Sequence, residues 1–193
     1  MNKACVLLIS ALFVLAGCDR PVEEYPLGGA TIGGPFVLTG EDGARVDSRS
    51  FDGKYRLIYF GYTYCPDICP TEIARLMKGY QDFAKASPDR AERTRPIFIT
   101  VDPVRDTPDV LRQWTDAFDP RLIGLTGTVA EIDAVAKQFA VIVKRGAPNK
   151  DGAYLVDHAR MALLFGPKGE PIALIPQDRD PATIAAELDR WVR

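Results

Sequence analysis

The sequence predicts one α/β domain, a mixed β-sheet covered by helices. Three observations lead there. Short apolar runs of strand length alternate with longer segments whose apolar residues recur every three or four positions. The alternation ends in two apolar runs joined by Gly166-Pro167-Lys168-Gly169, then one last amphipathic segment. The chain has 193 residues, enough to fill a single core.

The elements follow in order. Residues 35–39 and 45–46 flank Glu41-Asp42-Gly43, a hairpin signal. Residues 56–62, Arg-Leu-Ile-Tyr-Phe-Gly-Tyr, are short and largely aromatic and aliphatic, which fits a buried central strand. Pro70 suits the first position of a helix, where a missing N–H leaves nothing unpaired, and Ile73, Leu76, Met77, Tyr80 and Phe83 follow at helical spacing. Residues 96–101 form the next strand. Thr107 caps and Pro108 opens a second helix, whose inner stripe is Val110, Leu111, Trp114 and Phe118. A short strand at 122–125 leads to Thr128 and Glu131, a capping box for a helix carrying Ile132, Val135, Ala136 and Phe139. Strands are expected at 154–156, 161–165 and 171–175, and Asp180 caps a final helix with Ile184, Leu188 and Trp191 on one face. A β-α-β unit followed by β-β-α is the order of a thioredoxin-like fold. Here it carries an N-terminal β-hairpin and an inserted helix-strand-helix segment.

The start of the chain reads as an export signal. Lys3 precedes an apolar stretch at 6–15, too short to span a bilayer comfortably. Leu15-Ala16-Gly17-Cys18 resembles a bacterial lipobox, so residues 1–17 are expected to be a lipoprotein signal peptide and Cys18 the lipidated residue. Residues 18–31, with Pro21, Pro26, Gly28 and Gly29, read as a membrane-tethering linker, and residues 32–193 as the domain. Asp19 after Cys18 resembles the inner-membrane retention signal of enterobacteria-like systems, so the protein is expected to be lipid-anchored on the periplasmic side of the bacterial inner membrane. Its net charge of −2, with no dominant basic face, gives no electrostatic argument for nucleic acid, and no nucleic-acid partner is expected.

Export changes the cysteine count. Cys5 leaves with the signal and Cys18 is blocked by lipid, so Cys65 and Cys69 are the thiols of the domain. They stand in Tyr64-Cys65-Pro66-Asp67-Ile68-Cys69-Pro70, where a strand gives way to a helix. Helix N-termini present free N–H groups, which favour thiolate, the form that both attacks disulfides and binds metal. A structural bridge over so short a loop stabilises little. A redox pair and two arms of a metal site remain, since three intervening residues permit either. His158 is the one histidine, and in a thioredoxin-like sheet the segment before the late hairpin approaches the first strand–helix loop. It can therefore serve as a third donor. Sulfur with imidazole suits copper, as Cu(I) or Cu(II). A structural zinc site would need a fourth protein ligand that no second Cys/His pair offers. Asp157 is either an orienting partner of the imidazole or a solvated acid. Arg105-Asp106-Thr107-Pro108 reads mainly as a turn and helix cap, with contact to the cysteine loop as the sharper alternative. Met161 reads as core.

These residues carry a pattern. Residues 61–70, residues 101–108 (Val-Asp-Pro-Val-Arg-Asp-Thr-Pro) and Asp157-His158 together resemble the Sco/SenC family. The resemblance implies a thioredoxin-like fold and a copper site made by Cys65, Cys69 and His158. It implies a metallochaperone role in assembling the CuA centre of cytochrome c oxidase. The partner would be the CuA domain of oxidase subunit II, with other periplasmic copper chaperones or thiol reductants beside it. It leaves open a second role, in which Cys65 and Cys69 are the redox-active pair of a thiol-disulfide oxidoreductase acting on the client's cysteines. The chain departs from the family pattern after the histidine, where Ala159-Arg160-Met161 stands. Arg160 would oppose a bound cation if it pointed inward.

Overall fold

The computed structural model describes residues 24–193. The expected signal peptide, residues 1–17, and Cys18 lie outside the described residues. The strands are β1 (Val37–Gly40), β2 (Arg45–Asp47), β3 (Tyr55–Gly61), β4 (Thr94–Thr100), β5 (Ile123–Thr126), β6 (Val143–Arg145), β7 (Val156–His158), β8 (Ala162–Phe165) and β9 (Pro171–Ile175). The helices are α1 (Ile68–Ala86), α2 (Pro88–Glu92), α3 (Pro108–Asp116), α4 (Val129–Gln138) and α5 (Pro181–Trp191). Seven strands form one sheet in the order β2-β1-β5-β4-β3-β8-β9. β3, β4 and β5 run parallel, while β8, β9 and the β1–β2 hairpin are antiparallel to their neighbours.

β3 is central because nothing in it needs water. All seven residues are buried, and its side chains divide by parity. Leu57 and Tyr59 face a core built with α1 and α5, where Leu76, Phe83, Leu188 and Trp191 pack. Ile58 and Phe60 face a second core with Ile132, Phe139 and Phe165. Each such side chain, fully buried, stabilises the fold by about 1.5–3 kcal/mol. Arg56, buried at the start of the strand, pairs with Asp52 at 2.7 Å.

The caps of α3, α4 and α5 are those expected. Thr107 accepts from the Val110 N–H, Thr128 and Glu131 close a reciprocal capping box, and Asp180 accepts from the Thr183 N–H. Several expectations need correction. α1 begins at Ile68, so Pro70 is its third residue rather than its first. The proline is tolerated there because the first four N–H groups of a helix have no partner within it. The expected strand at 154–156 is displaced to Val156–His158, and it pairs with β6 in a separate two-stranded sheet. His158 therefore lies in a strand, not in a loop. Within residues 18–31, expected as tether, Tyr25 and Leu27 touch the domain: the Tyr25 ring meets Trp191 edge-on, and the Leu27 N–H donates to the Ile172 carbonyl.

Candidate metal centre

Three segments converge at the carboxyl end of β3. The first is the loop from Tyr62 to Asp67. It leaves the strand at Gly61, where a β-carbon would meet the Phe98 and Tyr59 rings at 2.9 Å. The Cys65 N–H then turns back to the Tyr62 carbonyl. The second is the first turn of α1, which carries Cys69. Asp67 is the N-cap, but its side chain makes no capping bond. The sulfur of Cys65 takes that place, accepting the Cys69 N–H at 3.3 Å. The third is β7, which ends on His158.

The two thiols differ. Cys65 is partly exposed. Burial pushes its pKa up, but the N–H groups of Cys69, Asp67 and Ile68 and the Cys69 thiol stabilise the anion and hold it below the ordinary value. Cys69 is fully buried, and desolvation, with the neighbouring Cys65, pushes it up to about 12. Cys65 is the readily ionised sulfur and Cys69 the one that keeps its proton.

His158 is fixed by one bond. Its Nδ1 lies 3.1 Å from the Ala159 carbonyl oxygen, and its Nε2 lies 3.4 Å from Cys69 Sγ. A carbonyl only accepts, so Nδ1 must carry the proton, and Nε2 presents its lone pair to the Cys69 sulfur. Burial lowers the pKa of the ring and keeps it neutral. Tyr62 meets the imidazole edge-on at 6.1 Å, and its hydroxyl accepts the Val156 N–H. Asp157 is exposed and is not the orienting group; the backbone carbonyl does that work. A cavity of about 270 Å³ opens over Cys65 and His158, flanked by Ile68, Leu155 and Arg160.

The donor set fits a thiophilic ion: one ionisable sulfur, one protonated sulfur and one free imidazole nitrogen. Among the described residues, no three such groups stand in preformed metal-binding geometry. Capture of such an ion would require Cys69 to lose its proton.

Sequence reasoning missed Glu72. It is buried one turn beyond Cys69, accepts the Tyr59 hydroxyl at 2.8 Å and pairs with Arg160 at 3.2 Å. Arg160 is thereby directed at a carboxylate, and the net charge it brings to the pocket is offset. The signal was present, since Glu72 shares a helix stripe with Leu76 and Tyr80. Met161 packs into the second core, as expected.

Comparison with known proteins places the chain among relatives. The sequence profile of the SCO1/SenC family matches residues 25–193. The chain is 41% identical to protein SenC of Rhodobacter capsulatus over 156 residues, 81% of this chain and 68% of that one. It spans about half the length of several mitochondrial SCO relatives that it matches. Bradyrhizobium japonicum ScoI with copper bound is 40% identical, superposes with a TM-score of 0.74, and is covered over 83% of this chain and 99% of its own. BsSco, a member of the Sco family of cytochrome c oxidase assembly proteins in which a disulfide switch was identified, is 25% identical with a TM-score of 0.65, covering 87% of this chain and 97% of its own. A thioredoxin domain from a Bacteroides vulgatus thiol-disulfide oxidoreductase, 14% identical with a TM-score of 0.58 over 84% of this chain and 96% of its own, shares the fold. The fold is thioredoxin-like, and the chain belongs to the SCO1/SenC family.

Proposed function

We propose that this protein is a copper metallochaperone that carries copper as cargo to the CuA centre of cytochrome c oxidase subunit II, working from a lipid anchor on Cys18 at the periplasmic face of the inner membrane. Cys65, Cys69 and His158 hold the ion. The observation that carries this reading is the free Nε2 of His158, 3.4 Å from Cys69 Sγ, with Cys65 Sγ at the same helix start. The copper-bound ScoI relative supports the cargo, and the oxidase-assembly role of BsSco supports the client. Delivery proceeds by ligand exchange, an incoming client thiolate replacing first the exposed Cys65 sulfur and then the buried donors.

The test is a copper titration of the reduced, detergent-solubilised chain. A single copper per monomer is expected, and His158→Ala weakens cupric binding more than cuprous, because two thiolates suffice for the softer ion. Equal cupric affinity in variant and wild type removes His158 as a ligand and ends the three-donor reading.

A second reading rests on the unequal thiols. Cys65 thiolate attacks a disulfide in an exported client and releases one client thiolate. Cys69, losing its proton, then attacks the mixed disulfide, releases the second client thiolate and closes a Cys65–Cys69 bridge. The disulfide switch identified in BsSco supports this chemistry.

A further inference from the structure

The histidine arm is joined to the cysteine loop by side chains rather than by a sheet. β6 and β7 pair only with each other among the described strands. The loop between β4 and α3, residues 101–107, lies between the arm and the cysteines and holds both. Asp106 faces the cysteine loop: it accepts the Thr63 N–H at 3.1 Å and the Thr63 hydroxyl at 2.6 Å. Asp102, fully buried, faces the arm. It accepts Arg105 Nε at 2.5 Å and the Tyr154 hydroxyl at 2.7 Å.

Arg105 is the piece common to both sides. Its guanidinium stacks 3.7 Å from the centre of the Tyr154 ring, four residues before His158, and stands 4.9 Å from Tyr64 and 5.7 Å from Tyr62 in the cysteine loop. One cation thus touches aromatic faces from both halves of the candidate site. Its Nη2 is buried without a hydrogen-bond partner, as expected of a group held by ring faces rather than by further acceptors. Asp102 is buried and Arg105 partly so, and such a pair is a poor source of stability in itself, since desolvation offsets much of the attraction. Its planar shape and fixed direction are what this position uses. Two further ties run from the Val156 N–H in β7 to the Tyr62 hydroxyl at 3.3 Å and from Arg145 in β6 to the Val101 carbonyl at 3.1 Å.

We propose that Arg105, oriented by Asp102, is a positioning residue for the metal centre: it clamps Tyr154 to the cysteine loop and so sets where His158 stands relative to Cys65 and Cys69. The role rests on the copper reading above and adds a residue that touches no metal.

The test compares the reduced whole chain in detergent as wild type, His158→Ala, Arg105→Lys and Tyr154→Phe. Lysine keeps a charge for Asp102 but loses the planar stack, and phenylalanine removes only one hydrogen bond. Arg105→Lys is expected to lower cupric affinity about tenfold, the size of one buried cation–π contact, and to move the cupric absorption and spin-resonance spectra toward those of His158→Ala. Tyr154→Phe moves them the same way by less. Without metal, amide exchange in Arg105→Lys accelerates across residues 143–158 and stays unchanged across residues 63–71. The clamp is overturned if Arg105→Lys keeps wild-type cupric affinity and spectra while His158→Ala loses them. It is equally overturned if exchange is unaltered or rises uniformly through the chain. A wild-type chain that binds no copper defeats the copper reading alone, and the exchange pattern still decides the clamp.

Discussion

Cys65 and Cys69 stand four positions apart and differ mainly in what surrounds them. Backbone N–H groups at the start of α1 point at Cys65, while Cys69 turns into the core beside Tyr62 and Val156. Proton affinity follows. The folded Cys65 pKa lies below the free-thiol value, so Cys65 ionises well before Cys69, which is pushed up to about 12. A Cys69→Ser variant is expected to form a stable mixed disulfide through Cys65 with a small aromatic disulfide, at a rate whose pH midpoint lies below the ordinary free-thiol value. Cys65→Ser is expected to form almost none. Trapping through Cys69 instead, or a midpoint above that value, would show the assignment inverted. The identities of these two residues and of His158 were legible in the sequence, because cysteines at a strand–helix junction and a lone histidine are rare letters. Glu72 and Tyr154 were not. Their roles depend on which side chain lies across the fold, and Asp157 drew attention only by adjacency.

Between elements, α1 and α5 pack closely over one face of the sheet, and the contact is made possible by Gly79. A β-carbon there would lie 2.5 Å from Ile184 Cγ2, 2.6 Å from Ile184 Cβ and 3.0 Å from the Pro181 carbonyl oxygen. The last two are too stiff to move aside cheaply. Gly79→Ala should therefore destabilise the domain by about 1–3 kcal/mol, even though alanine is the better helix former. Urea unfolding of the two proteins measures it, and a neutral or stabilising result would mean that the helices separate more easily than their packing suggests. Elements with chemical punctuation were legible: α3, α4 and α5 were read from Thr107, Thr128 and Asp180, whose oxygens do accept the expected N–H groups. Elements without it were not. β6 is three residues with two cations, and α2 spans five; neither is long enough to show a period. The start of α1 was misplaced because a cysteine sulfur, rather than a usual capping side chain, meets the first turn.

At the scale of the whole molecule, stability should depend on acid. Asp119, buried beside β5, accepts the Arg121 N–H, two guanidinium N–H groups of Arg121, and the Gln81 side chain from α1. Arg121 lowers its carboxyl from 3.8 to about 2. The folded value lies below the unfolded one, so the stabilisation is complete above about pH 4 and is lost as pH falls toward 2. It amounts to about 1–2 kcal/mol, allowing for the half-exposed arginine. Asp119→Asn should be less stable than wild type at pH 7, with the gap closing below pH 4 in denaturant titrations; a gap independent of pH would assign the loss to packing instead. Strand sequence and class were readable for the whole molecule, but the placing of the β1–β2 hairpin against β5 was not, since an edge pairing between distant segments leaves no periodic trace. The chain holds a single histidine, whose Nδ1 proton is committed to the Ala159 oxygen. Any magnetic-resonance signal from imidazole carbon-bound protons consequently arises from one ring alone, and this protein carries, without isotopic labelling, a built-in reporter at the mouth where cargo would arrive.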